Sequence, residues 1–196
     1  MNYRDYQNVR NEAWRILLDC KIDRLPVDLN SICKALGVRT ASYSANRELI
    51  QRKNLTEIVA RSDGLSFFAG DMPVVLYNEK CTPERIRFTV AHELGHIVLG
   101  HVSPGGITIA NREPDPQDDP KEIAANQFAA RLLAPACVLW GLDLHTAKEI
   151  AQVCRISKQA AEFRADRMNV LYSRNKFLTS PIERRLFQQF LPFIKG

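Results

Sequence analysis

The sequence predicts an α+β fold that is mostly helical, with a small antiparallel or mixed sheet packed on one central helix. Apolar residues recur at helical spacing in several segments of the 196-residue chain. Two short apolar runs flank Gly70-Asp71, as the strands of a β-hairpin flank its turn. Thr82-Pro83 and Asp119-Pro120 each pair a capping residue with a proline, which marks the first turn of a helix.

The remaining elements follow from local patterns. Gly37 and Gly100 are expected to end helices, because glycine adopts the left-handed conformation at little cost. Residues 44–63 are polar and predict one or two helical turns, and residues 102–119, rich in Pro, Gly and Asp, predict a long loop. The expected helices cover residues 5–20, 28–36, 83–99, 120–134, 146–154, 158–171 and a segment from 181, and the expected strands cover 38–43, 65–68 and 74–77.

Composition excludes some classes of protein. No apolar run approaches the roughly 18 residues of a membrane span, and the polar N-terminus lacks the apolar region of a secretory signal. The five cysteines form no CxxC pair, which argues against a disulfide framework and a zinc ribbon. A cytoplasmic protein with free thiols and no membrane association is expected. The net charge of +5 is spread along the chain and indicates no particular partner.

The pattern His92-Glu93-x-x-His96 lies on the central predicted helix. Residues four apart lie about one turn apart on the same helix face, so the two imidazoles can converge on one metal ion. Glu93 is next to a ligand and can act as a general base toward a water activated by zinc. The motif therefore predicts a zinc site and a hydrolytic reaction.

A catalytic zinc needs a third protein ligand, and the sequence offers alternatives. His101 is nine residues after His92, whereas the metzincin pattern needs ten and a turning glycine, so a supporting role is expected for it. Glu122 is the preferred ligand, with Asn126 one turn later to support a ligand histidine. Alternatively, Glu122 only completes a capping box with Asp119. Rival carboxylates are Glu113, Asp115, Asp118 and Asp119.

Residues 87–101 and 122–135 resemble the ImmA/IrrE family of metallopeptidases, and weaker similarity extends over about residues 10–170. The resemblance implies a zincin-like core with N-terminal helices over residues 1–140 and a C-terminal helical region over 141–196 packed on it. It also implies a set of roles. These are metal ligation by His92, His96 and Glu122, catalysis by Glu93, and a supporting position for Asn126.

This chain departs from the pattern of the family at three positions. Ala124 stands where a second carboxylate is common, and Arg131 and Ala134 stand where Glu and Met are common. Family members cleave or regulate transcriptional repressors. The resemblance thus implies a DNA-binding repressor as the protein substrate.

The expected activity is that of an endopeptidase with one Zn²⁺ per chain, although Mn²⁺ suits the same ligands. The sequence does not decide which residue donates a hydrogen bond to the oxyanion, and the candidates are Tyr77, His101 and His145. Residues 74–77 are expected to bind substrate as an added β-strand.

Two alternatives involve no proteolysis. Residues 146–171 could form a helix-turn-helix with Lys158, Gln159, Arg164 and Arg167 on its second helix, but the basic residues do not share one face and direct DNA binding is not expected. The chain could also be a metal-dependent module that binds a repressor without cutting it.

Overall fold

The computed structural model describes residues 3–102, 107–111 and 119–196. Within these residues the chain forms ten α-helices and a four-stranded sheet. The α+β, mostly helical prediction is confirmed. The helices are α1 (Tyr3–Asp19), α2 (Leu29–Ala35), α3 (Arg47–Arg52), α4 (Thr56–Arg61), α5 (Pro83–Val98), α6 (Pro120–Leu133), α7 (Ala136–Gly141), α8 (Ala147–Cys154), α9 (Lys158–Ser173) and α10 (Pro181–Lys195). The strands are β1 (Arg39–Ser42), β2 (Ser62–Ala69), β3 (Met72–Tyr77) and β4 (Ile107–Asn111).

The helix ends follow the local signals in the sequence. The Thr82 hydroxyl accepts a hydrogen bond from the Arg85 amide at 3.3 Å, which caps α5 ahead of Pro83. Gly37 and Gly100 have φ values of +65° and +70° after α2 and α5. These are left-handed conformations that other residues adopt only with strain, so each glycine ends its helix where the sequence predicts.

The sheet has the strand order β1-β3-β2-β4. Strand β1 runs parallel to β3, and β2 pairs antiparallel with both β3 and β4. The prediction of a loop throughout residues 102–119 was wrong for 107–111, which form β4. The β-branched run Ile107-Thr108-Ile109 favours a strand, and pairing with β2 outweighs the turn-forming residues on either side.

Strand β3 lies inside the sheet, with β1 on one side and β2 on the other. Its backbone groups are therefore already paired, and the expectation that residues 74–77 add a substrate strand was wrong. An added strand needs a free edge, and within the described residues β4 has no strand on the side away from β2.

Helix α5 is packed between the sheet and helix α6. The larger apolar cluster joins α5 and α6 to α1, α2, α7, α8, α9 and α10. A smaller cluster covers part of the sheet together with α3 and α4. No apolar run of membrane-spanning length was expected from the sequence, but the stretch Pro120–Gly141, which covers α6 and α7, is long and apolar enough to cross a membrane. In the structure, 72% of its apolar window is buried within the protein. That burial is typical of a core helix.

All five cysteines lie in the described residues, and none of them forms a disulfide there. Cys33, Cys137 and Cys154 are buried, and burial raises the pKa of the Cys33 thiol to about 11. These thiols are protonated packing groups at neutral pH.

Candidate metal centre

Helix α5 holds His92 and His96 one turn apart on the same buried face. The exposed fraction is 4% for His92 and 0% for His96. Their Nε2 atoms lie 3.0 Å apart, because the i, i+4 spacing brings both rings to one side of the helix. The two imidazoles therefore present two nitrogen atoms to one point.

Helix α6 brings a carboxylate to the same point. The two oxygens of Glu122 lie 3.2 Å from the Nε2 atoms of His92 and His96. The close approach of the two helices depends on Gly95. A Cβ atom there would lie 3.0 Å from the Phe128 ring and 3.3 Å from the Ala125 Cα atom.

The three side chains fit a zinc ion. Their ligand atoms all lie within 4.8 Å of one another, and the closest pairs are separated by 3.0–3.2 Å. Tetrahedral bonds of about 2.0–2.2 Å place two ligand atoms roughly 3.3–3.6 Å apart, so small shifts bring the set to a zinc geometry. Two imidazoles and one carboxylate form a donor set found in catalytic zinc sites.

The outward-facing nitrogens of both histidines are hydrogen-bonded. The Nδ1 atom of His92 lies 2.9 Å from Asn126 Oδ1, and the Nδ1 atom of His96 lies 3.1 Å from His101 Nδ1. An amide oxygen can only accept, so His92 donates from Nδ1, and its Nε2 is the nitrogen that faces Glu122 and would bind a metal. Asn126 and His101 thus occupy supporting positions and leave the converging nitrogens to a metal.

Glu93 lies beside this cluster with no exposed surface. The hydroxyl of Ser66, on β2, donates a hydrogen bond to Glu93 Oε2, and Ser66 is itself fully buried. At Gly64 a Cβ atom would come within 2.3 Å of Thr89 and 3.5 Å of Glu93, so a side chain there would crowd the helix. Strand β2 therefore fixes the orientation of Glu93.

Sequence reasoning missed Ser66. The signal was a polar residue within the apolar run of residues 65–68. Buried strands are mostly apolar, and a buried hydroxyl needs a partner. Its partner could be named only once β2 was placed against α5.

Glu122 dominates the electrostatics of this cluster. Burial raises its pKa, but hydrogen bonds from His92 and His96 outweigh this and bring the pKa to about 2. Burial opposes protonation of both histidines. It lowers the pKa of His96, whereas the bond to Glu122 and the charge of Glu93 raise the pKa of His92. A negative carboxylate therefore faces two imidazoles at neutral pH.

The other residues that were expected at the site make contacts with other parts of the protein. Tyr77 packs against the larger apolar cluster at the end of β3. His145 stacks on Tyr172 with ring centroids 4.6 Å apart and lies 2.8 Å from Asp143, at the start of α8. Three rival carboxylates lie outside the described residues, namely Glu113, Asp115 and Asp118.

Comparison with known families agrees with the resemblance found in the sequence. The Peptidase_M78 family model, described as an IrrE N-terminal-like domain, matches residues 33–166, which is more than half of the chain. The matched span contains the histidine pair, Glu93, Glu122 and Ser66. A comparison with curated protein sequences gave no match.

Proposed function

Because the chain belongs to the IrrE N-terminal-like family of peptidases, we propose that it is a zinc-dependent endopeptidase that hydrolyses a peptide bond in a protein substrate. The convergence of His92, His96 and Glu122, with Glu93 held beside them, is the observation that carries the proposal. One zinc ion per chain is proposed, and manganese suits the same ligands.

His92 and His96 would hold the metal through their Nε2 atoms, and Glu122 would hold it through its carboxylate. A zinc ion held there supplies Lewis acidity toward water and toward the scissile carbonyl. The outer bonds from Asn126 and His101 keep the two rings turned inward.

Glu93 acts as the general base. Its carboxylate takes a proton from the attacking water and passes that proton to the leaving amine. The hydrogen bond from Ser66 to Oε2 holds this carboxylate in a fixed orientation.

Two residues are candidates for stabilising the oxyanion, His101 and Tyr77. His101 is the stronger of them, because accepting a hydrogen bond from His96 at Nδ1 leaves a donor at its Nε2. A substrate segment adds to the free edge of β4 as an extended strand.

The proposed substrate is a DNA-binding transcriptional repressor in the cytoplasm. We keep the division into a core over residues 1–140 and a helical region over 141–196. Direct DNA binding by the chain is not expected. Arg164 is only 7% exposed, so the three basic residues of α9, Lys158, Arg164 and Arg167, do not form one accessible face.

The proposal is tested by incubating a repressor encoded beside this chain's gene with wild type, Glu93→Gln and Glu48→Gln proteins. Mass spectrometry of the products, with metal content measured in parallel, gives the result. Wild type and Glu48→Gln are expected to cut equally well, since Glu48 is exposed in the first turn of α3. Glu93→Gln should keep zinc and cut at least about 100-fold more slowly.

Two outcomes would count against the proposal, the first against the role of Glu93 and the second against hydrolysis. Equal cutting by Glu93→Gln would remove Glu93 as the base. Capture of an uncut repressor by wild type and Glu93→Gln alike would favour the metal-dependent binding module.

A further inference from the structure

A groove of about 1030 Å³ lies where the first turns of α5, α8 and α9 meet, outside the metal centre. Its charged lining residues are four cations and one carboxylate, namely Arg87, Lys148, Arg155, Lys158 and Glu84. Neither the histidine cluster nor β4 contributes to this lining. The groove is therefore a separate feature of the described surface.

The fold holds two of these cations, Arg87 and Arg155, next to each other. Arg87 donates from Nε to the Arg155 carbonyl at 3.2 Å and from Nη2 to the Val27 carbonyl at 3.0 Å. Burial and the positive charge of Arg155 lower the pKa of Arg87. A negative group in the groove would relieve this repulsion.

The surface between the charges is largely apolar. Pro83, Ala147, Ala151 and Ile156 form the walls, and the lysines stand at the rim on the first turns of α8 and α9. A nucleic-acid backbone favours a polar surface, because its phosphates stay hydrated. Apolar walls with cations at the rim suit a protein segment that carries both apolar and acidic side chains.

We propose that this groove binds an acidic, partly apolar segment of a protein partner. The apolar side chains of the segment pack on the walls, and its carboxylates pair with Lys148, Lys158 and Arg155. This inference does not depend on hydrolysis, since binding requires neither the metal nor Glu93.

The test uses the full chain carrying Glu93→Gln, so that a bound probe stays intact. Fluorescence anisotropy measures the binding of a labelled amphipathic peptide of leucine and glutamate. The groove variant is Lys148→Glu with Lys158→Glu. Both positions lie in first helical turns, where an acidic residue stabilises the helix, so the variant should fold.

The matched control is Arg47→Glu with Arg185→Glu, which changes the net charge equally at exposed positions outside the groove. The groove variant should bind the acidic peptide at least about tenfold more weakly, and the control within about twofold of the parent. A peptide with lysine in place of glutamate should not bind.

Three results would overturn the proposal. Equal weakening in the control would mean a response to net charge alone. Unchanged binding by the groove variant would place the site elsewhere. Tighter binding of a labelled DNA duplex than of the acidic peptide, lost in the groove variant, would make the groove a nucleic-acid site.

Discussion

Helices α6 and α8 begin with the same signature but use it differently. Each has a capping residue followed three positions later by a glutamate. In α8, Glu149 turns back to accept from the amide and hydroxyl of Thr146 at 2.9 and 2.7 Å, which closes a capping box. In α6, Asp119 caps alone through the Lys121 amide at 2.8 Å, and Glu122 faces the histidines.

The difference lies in what surrounds each glutamate. Glu149 is exposed, and the start of its own helix provides its hydrogen-bond donors. Glu122 is partly buried opposite two imidazoles on α5, which offer stronger interactions than one backbone amide. A capping signature thus shows where a helix starts, while tertiary contacts decide whether its carboxylate caps or ligates.

The largest effect is expected when each of the two glutamates, Glu122 and Glu149, is replaced by alanine. Glu122→Ala removes a ligand and should weaken zinc binding by more than about 100-fold, beyond the loss caused by removing a supporting residue. Glu149→Ala should keep full zinc affinity and lower the melting temperature slightly. Zinc titration against a competing chelator and thermal denaturation measure both. Retention of tight zinc binding by Glu122→Ala would show that Glu122 only caps.

A smaller loss is expected at Asn126, one turn along the same helix. Asn126→Ala removes the bond that fixes His92 and should weaken zinc binding about 10- to 100-fold. Gln127→Ala is the control, because the buried Oε1 of Gln127 has no hydrogen-bond partner in the structure. The same titration applies, and equal losses in the two variants would contradict the role of Asn126.

Strand β2 offers a matched pair of fully buried serines. Ser66 bonds to Glu93, whereas Ser62 bonds to the Ile58 carbonyl at 2.9 Å and the Tyr43 hydroxyl at 3.0 Å. Each Ser→Ala change should lower the free energy of unfolding by about 1–3 kcal/mol, because a buried polar partner loses its bond. Ser66→Ala alone should also lower kcat roughly tenfold, through a misplaced base.

Steady-state kinetics separate the two effects of the serine variants. KM and zinc content should stay unchanged in Ser66→Ala, and Ser66→Thr should restore kcat in part because it keeps the hydroxyl. Equal kcat values for Ser66→Ala and Ser62→Ala would reduce Ser66 to a structural residue.

The smallest effect concerns acid stability of the metal-free protein. Burial and the charge of His96 lower the pKa of His101 to about 4, below the value of about 6.5 for an unfolded histidine. Between these values the unfolded state binds more protons, so stability should fall as the pH drops from 6.5 to 4. His101→Asn should flatten this dependence in urea unfolding at pH 7 and pH 5. The slope is expected to change only modestly, because His101 is partly exposed.

Much of the site could be predicted from local sequence. The spacing of His92 and His96 follows from helix geometry, and the caps at Thr82 and Asp119 place α5 and α6 correctly. Local sequence could not place β4 or show that β3 lies inside the sheet, since both depend on strand pairing. It also could not identify Ser66, whose partner lies 27 residues away on another element.

The central claim is that Glu122 leaves the capping position to hold a metal with His92 and His96. A crystal structure of the zinc-loaded protein, with anomalous data at the zinc edge, tests this most directly. We predict one anomalous peak bonded to both Nε2 atoms and to the Glu122 carboxylate, with Glu149 still closing its capping box. A peak bonded to His101 in place of Glu122, with Glu122 turned back toward Asp119, would contradict the account.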